Sequence, residues 1–253
     1  MLYIGTAGWA LPHMWREHFP PAASNLARYA KRFNGVEINS SFYRPHRRST
    51  YERWAASVPA DFRFAVKVPR AITHDQRLVA ADVLLDVFLD EVRGLGDRLG
   101  PLLVQLPPSL ALDHGTADEF FGALRAMHEG EVVCEPRHDS WFGADGETLL
   151  LAHRVARAGA DPARCSTAAL PGAWPAPTYL RLHGSPHMYY SAYSADFLLA
   201  TAGLLRTRRA QGATTWCMFD NTTLGAATGD ALALSRQLSD EGPRAGSDAR
   251  ADE

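Results

Sequence analysis

Residues 35–41 read Gly-Val-Glu-Ile-Asn-Ser-Ser, and this short run carries the most information about the architecture. The apolar side chains of Val36 and Ile38 alternate with the polar side chains of Glu37 and Asn39, which is the two-residue period of a β-strand. A parallel strand of an α/β protein is covered by helices on its outside, so the apolar pair faces the helices and the polar pair faces inward. The run therefore predicts an α/β barrel strand with polar groups in the interior.

Seven further runs of this kind alternate with longer helical patterns, the order expected of parallel strands joined by helical crossovers. The eight predicted strands are residues 3–9, 35–41, 63–69, 102–107, 132–137, 158–161, 178–183 and 215–220. A chain of 253 residues, 46% of them hydrophobic, has the length of one such domain. We predict a single (β/α)8 TIM-type barrel over residues 1–238.

The sixth βα unit is predicted to be irregular. The segment between Asp161 and Tyr179 contains prolines that exclude a regular helix, namely Pro162, Pro171, Pro175 and Pro177. We expect this segment to form a loop over one rim. Residues 239–253 are small or charged and have no periodicity, which predicts a disordered tail.

Three helix starts are predicted from their capping residues. Ser24 precedes a helical pattern of apolar residues and is expected to be an N-cap. The segments Ser49-Thr50-Tyr51-Glu52 and Thr116-Ala117-Asp118-Glu119 have the spacing of a capping box, so helices are expected to begin there.

Composition excludes several broad classes of protein. The formal net charge of −2 implies no bulk attraction to duplex DNA or to an anionic membrane. The three cysteines form no C-x-x-C pair, and no signal-peptide pattern or long apolar run is present, so a cytoplasmic protein is expected. No Walker loop, G-x-S-x-G elbow or H-E-x-x-H motif occurs.

Polar residues recur at inward positions near the ends of the predicted strands, where barrel active sites are assembled. We interpret Glu135, His183, Asp220 and Glu37 as candidate catalytic residues. The candidate substrate-binding residues are Lys67, Arg137, Arg181, His138, Asn39, Tyr43, Trp9 and Trp141. The alternative is that these charges form internal salt bridges, for example Glu37 with Lys67 or Glu135 with Arg181.

The chain also resembles the YecE-like family, the domain of unknown function 72. The resemblance is carried by motifs in family order: Ile4-Gly5-Thr6-Ala7-Gly8-Trp9, Val36 to Tyr43, Phe64-Ala65-Val66-Lys67, Gln105-Leu106-Pro107-Pro108, Glu135-Pro136-Arg137-His138, Tyr179 to Gly184 and Phe219-Asp220-Asn221-Thr222. It implies a (β/α)8 barrel and no established reaction. Residues 159–177 depart from the family pattern because they are shorter and richer in proline.

Two functional hypotheses remain open on the sequence. The first is an enzyme whose Lys67, Arg137 and Arg181 hold an anionic substrate, phosphorylated or derived from nucleic acid, while a carboxylate acts as acid or base. The second is a non-catalytic protein that binds or senses a ligand. The enzyme hypothesis has a metal variant, an isomerase or hydrolase resembling xylose-isomerase-like barrels, in which a divalent cation (manganese, magnesium or zinc) is held by Glu135, Asp161, His183 and Asp220. The neighbouring Arg137 and Arg181 would repel such a cation.

Overall fold

The computed structural model describes residues 1–239 and contains parallel strands alternating with helices. The strands are β1 (Leu2–Thr6), β2 (Gly35–Ile38), β3 (Arg63–Lys67), β4 (Leu99–Gln105), β5 (Val132–Glu135), β6 (Ala156–Arg157), β7 (Gly159–Asp161), β8 (Gly172–Ala173), β9 (Thr178–Leu182) and β10 (Thr215–Phe219). The α-helices are α1 (Asn25–Tyr29), α2 (Arg48–Ala56), α3 (Asp82–Val92), α4 (His114–Met127), α5 (Ala144–Ala152), α6 (Ala195–Ala210) and α7 (Ala226–Ser239). Single-turn helices follow several strands, for example Ser40–Phe42 after β2 and Asp139–Phe142 after β5.

The strands form two sheets, ordered β1-β10-β9-β7 and β2-β3-β4-β5-β6-β8. All pairings are parallel except that of β6 with β8. The sheets approach each other at an isolated bridge between Ala7 and Glu37, where the Gly8 amide donates to the Glu37 carbonyl at 2.8 Å. Within residues 1–239 the pairings do not make one closed sheet. The prediction is therefore confirmed as a mixed α/β fold with parallel sheets.

The sixth unit departs from the predicted strand at residues 158–161. The extended chain divides at Ala158 into β6, which pairs with β5, and β7, which pairs with β9. No α-helix follows β7 before β9 among these described residues, as the prolines predict. The predicted tail, residues 239–253, lies outside the described residues apart from Ser239, which is the last residue of α7 and so does not belong to a tail.

The capping residue was predicted correctly for one of three helices. Ser24 caps α1, and its hydroxyl accepts the Ala27 amide at 3.1 Å. The other two predictions are wrong, because α2 begins at Arg48 without a side-chain cap and α4 is capped by Asp113, whose carboxylate accepts the Thr116 amide at 2.8 Å. The Asp113 carboxylate, three residues before Thr116, accepts the Thr116 amide. In the predicted capping box this amide would have bonded to the side chain of Glu119.

The interior is layered along the strand direction. A compact group of inward side chains contains Tyr3, Ala65, Leu103, Val133, Tyr179, Trp216 and Met218. The next inward position along β3, β5 and β9 is charged: Lys67, Glu135 and Arg181 respectively. The apolar layer thus forms the floor beneath a charged layer at the carboxyl ends of the strands. Within residues 1–239, no helix is both long enough and apolar enough to cross a bilayer.

Candidate functional site

The guanidinium of Arg181 is the centre of the charged layer. Its Nη2 lies 2.7 Å from Glu37 Oε1 and 3.0 Å from Asp220 Oδ2, and its Nη1 lies 3.2 Å from Glu135 Oε2. Only 1% of the Arg181 side chain is exposed. Four of its five N–H groups face these three carboxylates, and the fifth faces His183 Nε2 at 3.5 Å. No donor is therefore left for a ligand, so Arg181 holds the site together and is not an anion contact.

Glu37 is fixed from two sides. Arg181 donates to it through Nε as well as Nη2, and the Tyr179 hydroxyl donates to Glu37 Oε2 at 2.9 Å. Burial and the negative charge of Glu37 raise the pKa of the Tyr179 hydroxyl well above its usual value, so it remains a donor. Glu37 is fully buried and is part of this support rather than a group facing a ligand.

The imidazole of His183 lies between two carboxylates. Its Nδ1 is 3.1 Å from Asp220 Oδ2 and its Nε2 is 2.9 Å from Glu135 Oε1. With a proton on Nδ1 donated to Asp220, Nε2 presents a lone pair toward Arg137 Nη2 at 2.6 Å. The hydrogen-bonded group of Asp220, His183 and Glu135 can therefore accept one proton, after which both imidazole N–H groups face carboxylates.

The carboxylates of Glu135 and Asp220 are both ionised. Burial raises the pKa of Glu135, but the charges of Arg137 and Arg181 outweigh it and hold the pKa well below the usual value. The same balance of burial against Arg181 lowers the pKa of Asp220. At neutral pH these groups accept protons and do not supply them.

Arg137 and Lys67 are the two cations of the site that keep hydrogen-bond donors without a partner among residues 1–239. Arg137 reaches Glu135 Oε1 at 2.6 Å through Nη2, but its buried Nε has no hydrogen-bond partner within residues 1–239. The carbonyl of Lys67 accepts the Ser41 hydroxyl at 2.6 Å, but its side-chain Nζ forms no ion pair or hydrogen bond with residues 1–239 and lies 3.9 Å from the centre of the Phe42 ring. The predicted pairing of Glu37 with Lys67 is therefore wrong, whereas the pairing of Glu135 with Arg181 is present.

The loop after β9 covers His183 and is tied down by residues that sequence reasoning missed. Asp230 of α7 accepts the Tyr193 amide at 3.2 Å and the Asn221 side chain at 2.7 Å. Tyr189 adopts a left-handed φ of 70° and its ring meets the His183 ring edge-on at 5.8 Å. Asp230 could have been found as a charged residue on the apolar face of α7, and Tyr179 by the same two-residue alternation that found Arg181.

Within residues 1–239, four predicted substrate-binding residues form no hydrogen bond or ion pair with the charged layer. Trp141 is 1% exposed and its indole N–H donates to the Leu110 carbonyl at 2.9 Å, so it packs within the protein. Trp9 packs against Trp54, and Tyr43 is 73% exposed on the rim. His138 caps the helix Asp139–Phe142 through its side chain.

Asn39 is the remaining predicted residue. It follows β2 at the end nearest the charged layer, and its side-chain Oδ1 is buried without a hydrogen-bond partner in the described part of the chain. A buried amide oxygen without a partner has free capacity for a donor group.

The proposed metal ligands do not fit a metal. Glu135 and Asp220 both face Arg181, each nitrogen of His183 already contacts a carboxylate, and Asp161 accepts the Tyr193 hydroxyl at 3.0 Å. Within residues 1–239, no group of three or more His, Cys, Asp or Glu side chains has the arrangement to hold an ion. The guanidinium occupies the position that a cation would need.

A cavity of about 300 Å³ lies on the same rim, between the loops that follow β2 and β3 and helix α3. Phe42 lines it, and the ring of Phe42 also contacts Lys67. None of the charged residues of the central layer lines this cavity. It is mainly apolar, so it is not the anion pocket that the sequence predicted.

Comparison with known proteins agrees with the family resemblance carried by the sequence motifs. Residues 3–252 match the family described as "Protein of unknown function DUF72". The chain is 35% identical to the UPF0759 protein YecE of Escherichia coli (strain K12) over 157 residues, which are 60% of this chain and 54% of that protein. It is 28% identical to the UPF0759 protein YunF of Bacillus subtilis (strain 168) over 158 residues, 56% of this chain and 52% of that protein. The aligned segment thus spans about half the length of these curated relatives.

Two solved structures share the fold. A DUF72 family protein from Enterococcus faecalis superposes with a TM-score of 0.79 at 18% identity, covering 94% of this chain and 96% of that one. A DUF72 family protein from Thermotoga maritima gives a TM-score of 0.76 at 22% identity, covering 94% of this chain and 99% of that one. Because the family match covers almost all of the sequence, this chain belongs to the DUF72 family.

Proposed function

We propose that the chain is an enzyme that transfers a proton to or from an anionic substrate, phosphorylated or derived from nucleic acid, at the carboxyl ends of its strands. The observation that carries the proposal is the imidazole of His183 held between Asp220 and Glu135, next to an arginine with an unused donor. Internal stability alone gives little reason for such an arrangement, since a buried ion pair is seldom better than an apolar replacement.

Arg137 is the proposed anion contact. Its Nε is free while its Nη2 contacts Glu135 and His183, so an anion on Nε would lie beside the proton acceptor. Lys67 adds a second positive charge to the same layer. Three carboxylates and three cations make this layer neutral when His183 is uncharged, and a substrate anion therefore meets no net repulsion.

Proton acceptance falls to Glu135 and His183. The low pKa of Glu135 keeps it ionised, and its Oε1 shares a 2.9 Å contact with His183 Nε2. A proton taken from the substrate can rest on His183, where Asp220 and Glu135 neutralise the imidazolium. Arg181 and Tyr179 keep the carboxylates aligned, so they are positioning residues.

The test measures anion binding in the full chain. Inorganic phosphate should raise the melting temperature in a saturable way, because a ligand that binds only the folded state stabilises it. The effect should disappear in Arg137→Gln and persist in Arg53→Gln, an exposed arginine on α2. Equal stabilisation of both variants would contradict the assignment of Arg137.

The alternative, a non-catalytic ligand-binding protein, is favoured by one observation: His183 is fully buried beneath Tyr189. Proton transfer requires Tyr189 or Arg137 to move when substrate binds, whereas ligand sensing does not. Saturable phosphate binding by Glu135→Gln with an affinity equal to wild type, and no turnover of any phosphorylated compound by wild type, would favour this second function.

We further propose that the two sheets are parts of one (β/α)8 barrel formed by residues 1–238. The support is the bridge of Ala7 with Glu37 at one junction and the continuous chain of β6 and β7 at the other. Cys134, Cys165 and Cys217 are all free thiols, which is consistent with our proposal of a reducing, cytoplasmic location.

A further inference from the structure

Lysine is used very sparingly in this chain. Of 26 lysines and arginines, only Lys31 and Lys67 are lysines. Lys31 is exposed and its Nζ donates to the Pro21 carbonyl at 2.8 Å. Lys67 is 5% exposed and ends β3 in the charged layer. Apart from Lys31, every other lysine or arginine position of the chain is an arginine, yet the buried position 67 carries a lysine amine.

The difference between the two side chains is chemical. A guanidinium stays protonated in proteins, so arginine supplies charge and hydrogen bonds but no nucleophile. A lysine amine becomes a nucleophile once it loses its proton, and desolvation beside another cation is a known way to achieve this. An anion contact alone would be served as well by arginine.

The surroundings of Lys67 lower the pKa of its amine. Burial and the charge of Arg181 lower its pKa to about 8, against the opposing effect of the carboxylates Glu37, Glu135 and Asp220. Glu37, Glu135 and Asp220 pair with Arg181, so within residues 1–239 no carboxylate lies within ion-pair distance of Lys67 Nζ, and the ammonium is stabilised only by the weaker cation–π contact with the face of Phe42. About a tenth of such an amine is neutral at neutral pH, whereas an ordinary lysine amine is almost wholly protonated.

We propose that Lys67 forms an imine with the carbonyl carbon of an anionic aldehyde or ketone. This inference rests on the proposed function, in which Arg137 binds the anionic group and Glu135 with His183 handles the proton. It narrows the substrate to a carbonyl compound that also carries a phosphate or carboxylate.

The covalent step balances without an outside reagent. The neutral Nζ attacks the carbonyl carbon, and the carbonyl oxygen gains a proton while the nitrogen loses one, giving a carbinolamine. The C–O bond then breaks, the hydroxyl leaves with a second proton as water, and the nitrogen lone pair forms the C=N bond. From the ammonium form the sum is one carbonyl and one ammonium giving one protonated imine and one water.

Reductive trapping tests the inference on the full chain. The protein is incubated at neutral pH with glyoxylate, an anionic aldehyde, and sodium cyanoborohydride, and the products are followed by intact mass and peptide mapping. We expect one carboxymethyl group on Lys67, added about tenfold or more faster than on Lys31, because of the larger neutral fraction. Lys67→Arg and Lys67→Met should lose this label, and Lys31→Arg should keep it. Circular dichroism and melting curves check that each variant is folded, and the wild-type peptide map is decisive even if one is not.

The outcomes separate the inference from the proposed function. Labelling of Lys67 no faster than labelling of Lys31 overturns the inference, and saturable phosphate binding through Arg137 would then leave the proposed function standing. Selective labelling of Lys67 that phosphate slows supports both. Selective labelling that is equally fast with neutral propionaldehyde and unaffected by phosphate supports the imine lysine and contradicts the anion site.

Discussion

Replacing Glu135 by glutamine is the perturbation for which the structure gives the clearest magnitude. The side chain is 1% exposed and its carboxylate contacts Arg137 at 2.6 Å, Arg181 at 3.2 Å and His183 at 2.9 Å. The amide keeps the shape, removes the charge and turns an N–H donor toward one of these donors. Removing one partner of a buried ion pair costs about 3–5 kcal/mol, and burial leaves little solvent screening here.

The pH dependence of this loss of stability separates the contribution of the Glu135 charge from that of its packing. The folded state holds the pKa of Glu135 well below its usual value, so the carboxylate contributes stability above the usual glutamate pKa of about 4.3. That contribution is lost as the pH falls below this value toward the folded pKa. The difference between wild type and Glu135→Gln should therefore be largest at neutral pH and should shrink in acid.

Urea unfolding at neutral pH and at acid pH, on the same preparations, measures the effect. The control is Glu129→Gln, an exposed glutamate whose replacement should change stability by no more than about 0.5 kcal/mol. Turnover of an anionic substrate by the folded variant should fall about 10²-fold or more. A loss below about 1 kcal/mol at neutral pH, or a loss of the same size at both pH values, would refute the electrostatic reasoning.

Three further changes have expected outcomes. In Gly5→Ala the new Cβ would lie 2.0 Å from the Gly35 carbonyl oxygen, so the contact between β1 and β2 should open. The expected loss of stability is about 1–3 kcal/mol, measured by urea unfolding. An unchanged unfolding midpoint would contradict the close approach of the two strands. In Asp230→Asn the bonds to Tyr193 and Asn221 weaken, and amide exchange of residues 184–193 should accelerate while β3 and β4 stay protected. Treatment with a chelator should leave the melting temperature unchanged, and a drop accompanied by release of a stoichiometric divalent metal would reverse the conclusion that the carboxylates are committed to Arg181.

The two-residue alternation predicted the charged layer because the pleat of a strand leaves no choice of face. Glu37, Lys67, Glu135, Arg181 and His183 were all expected to point inward, and all five are buried in the layer. The same rule applied one step earlier in β9 would have added Tyr179. Strand ends were predicted too long, because residues 7–9 and 68–69 follow the alternation but already belong to loops.

The pairing within the layer could not be read from the sequence. Glu37 pairs with Arg181 of a strand on the other sheet and not with Lys67 of its neighbour β3, because the choice depends on where the two sheets meet. The directions of the aromatic side chains could not be read from the sequence for a different reason, since loops impose no period on the direction of a side chain. Trp141 turns into the core to reach the Leu110 carbonyl, whereas Tyr43 stays in solvent.

A crystal structure of the protein, grown without sulfate or phosphate and then soaked in inorganic phosphate, would show whether the strand ends bind an anion. We expect tetrahedral density within hydrogen-bond distance of Arg137 Nε, on the side of the charged layer where Lys67 Nζ lies, with Arg181 still bound to its three carboxylates. Phosphate absent from this position at saturating concentration, with Arg137 still turned to Glu135 and His183, would contradict an anion-binding site at the strand ends.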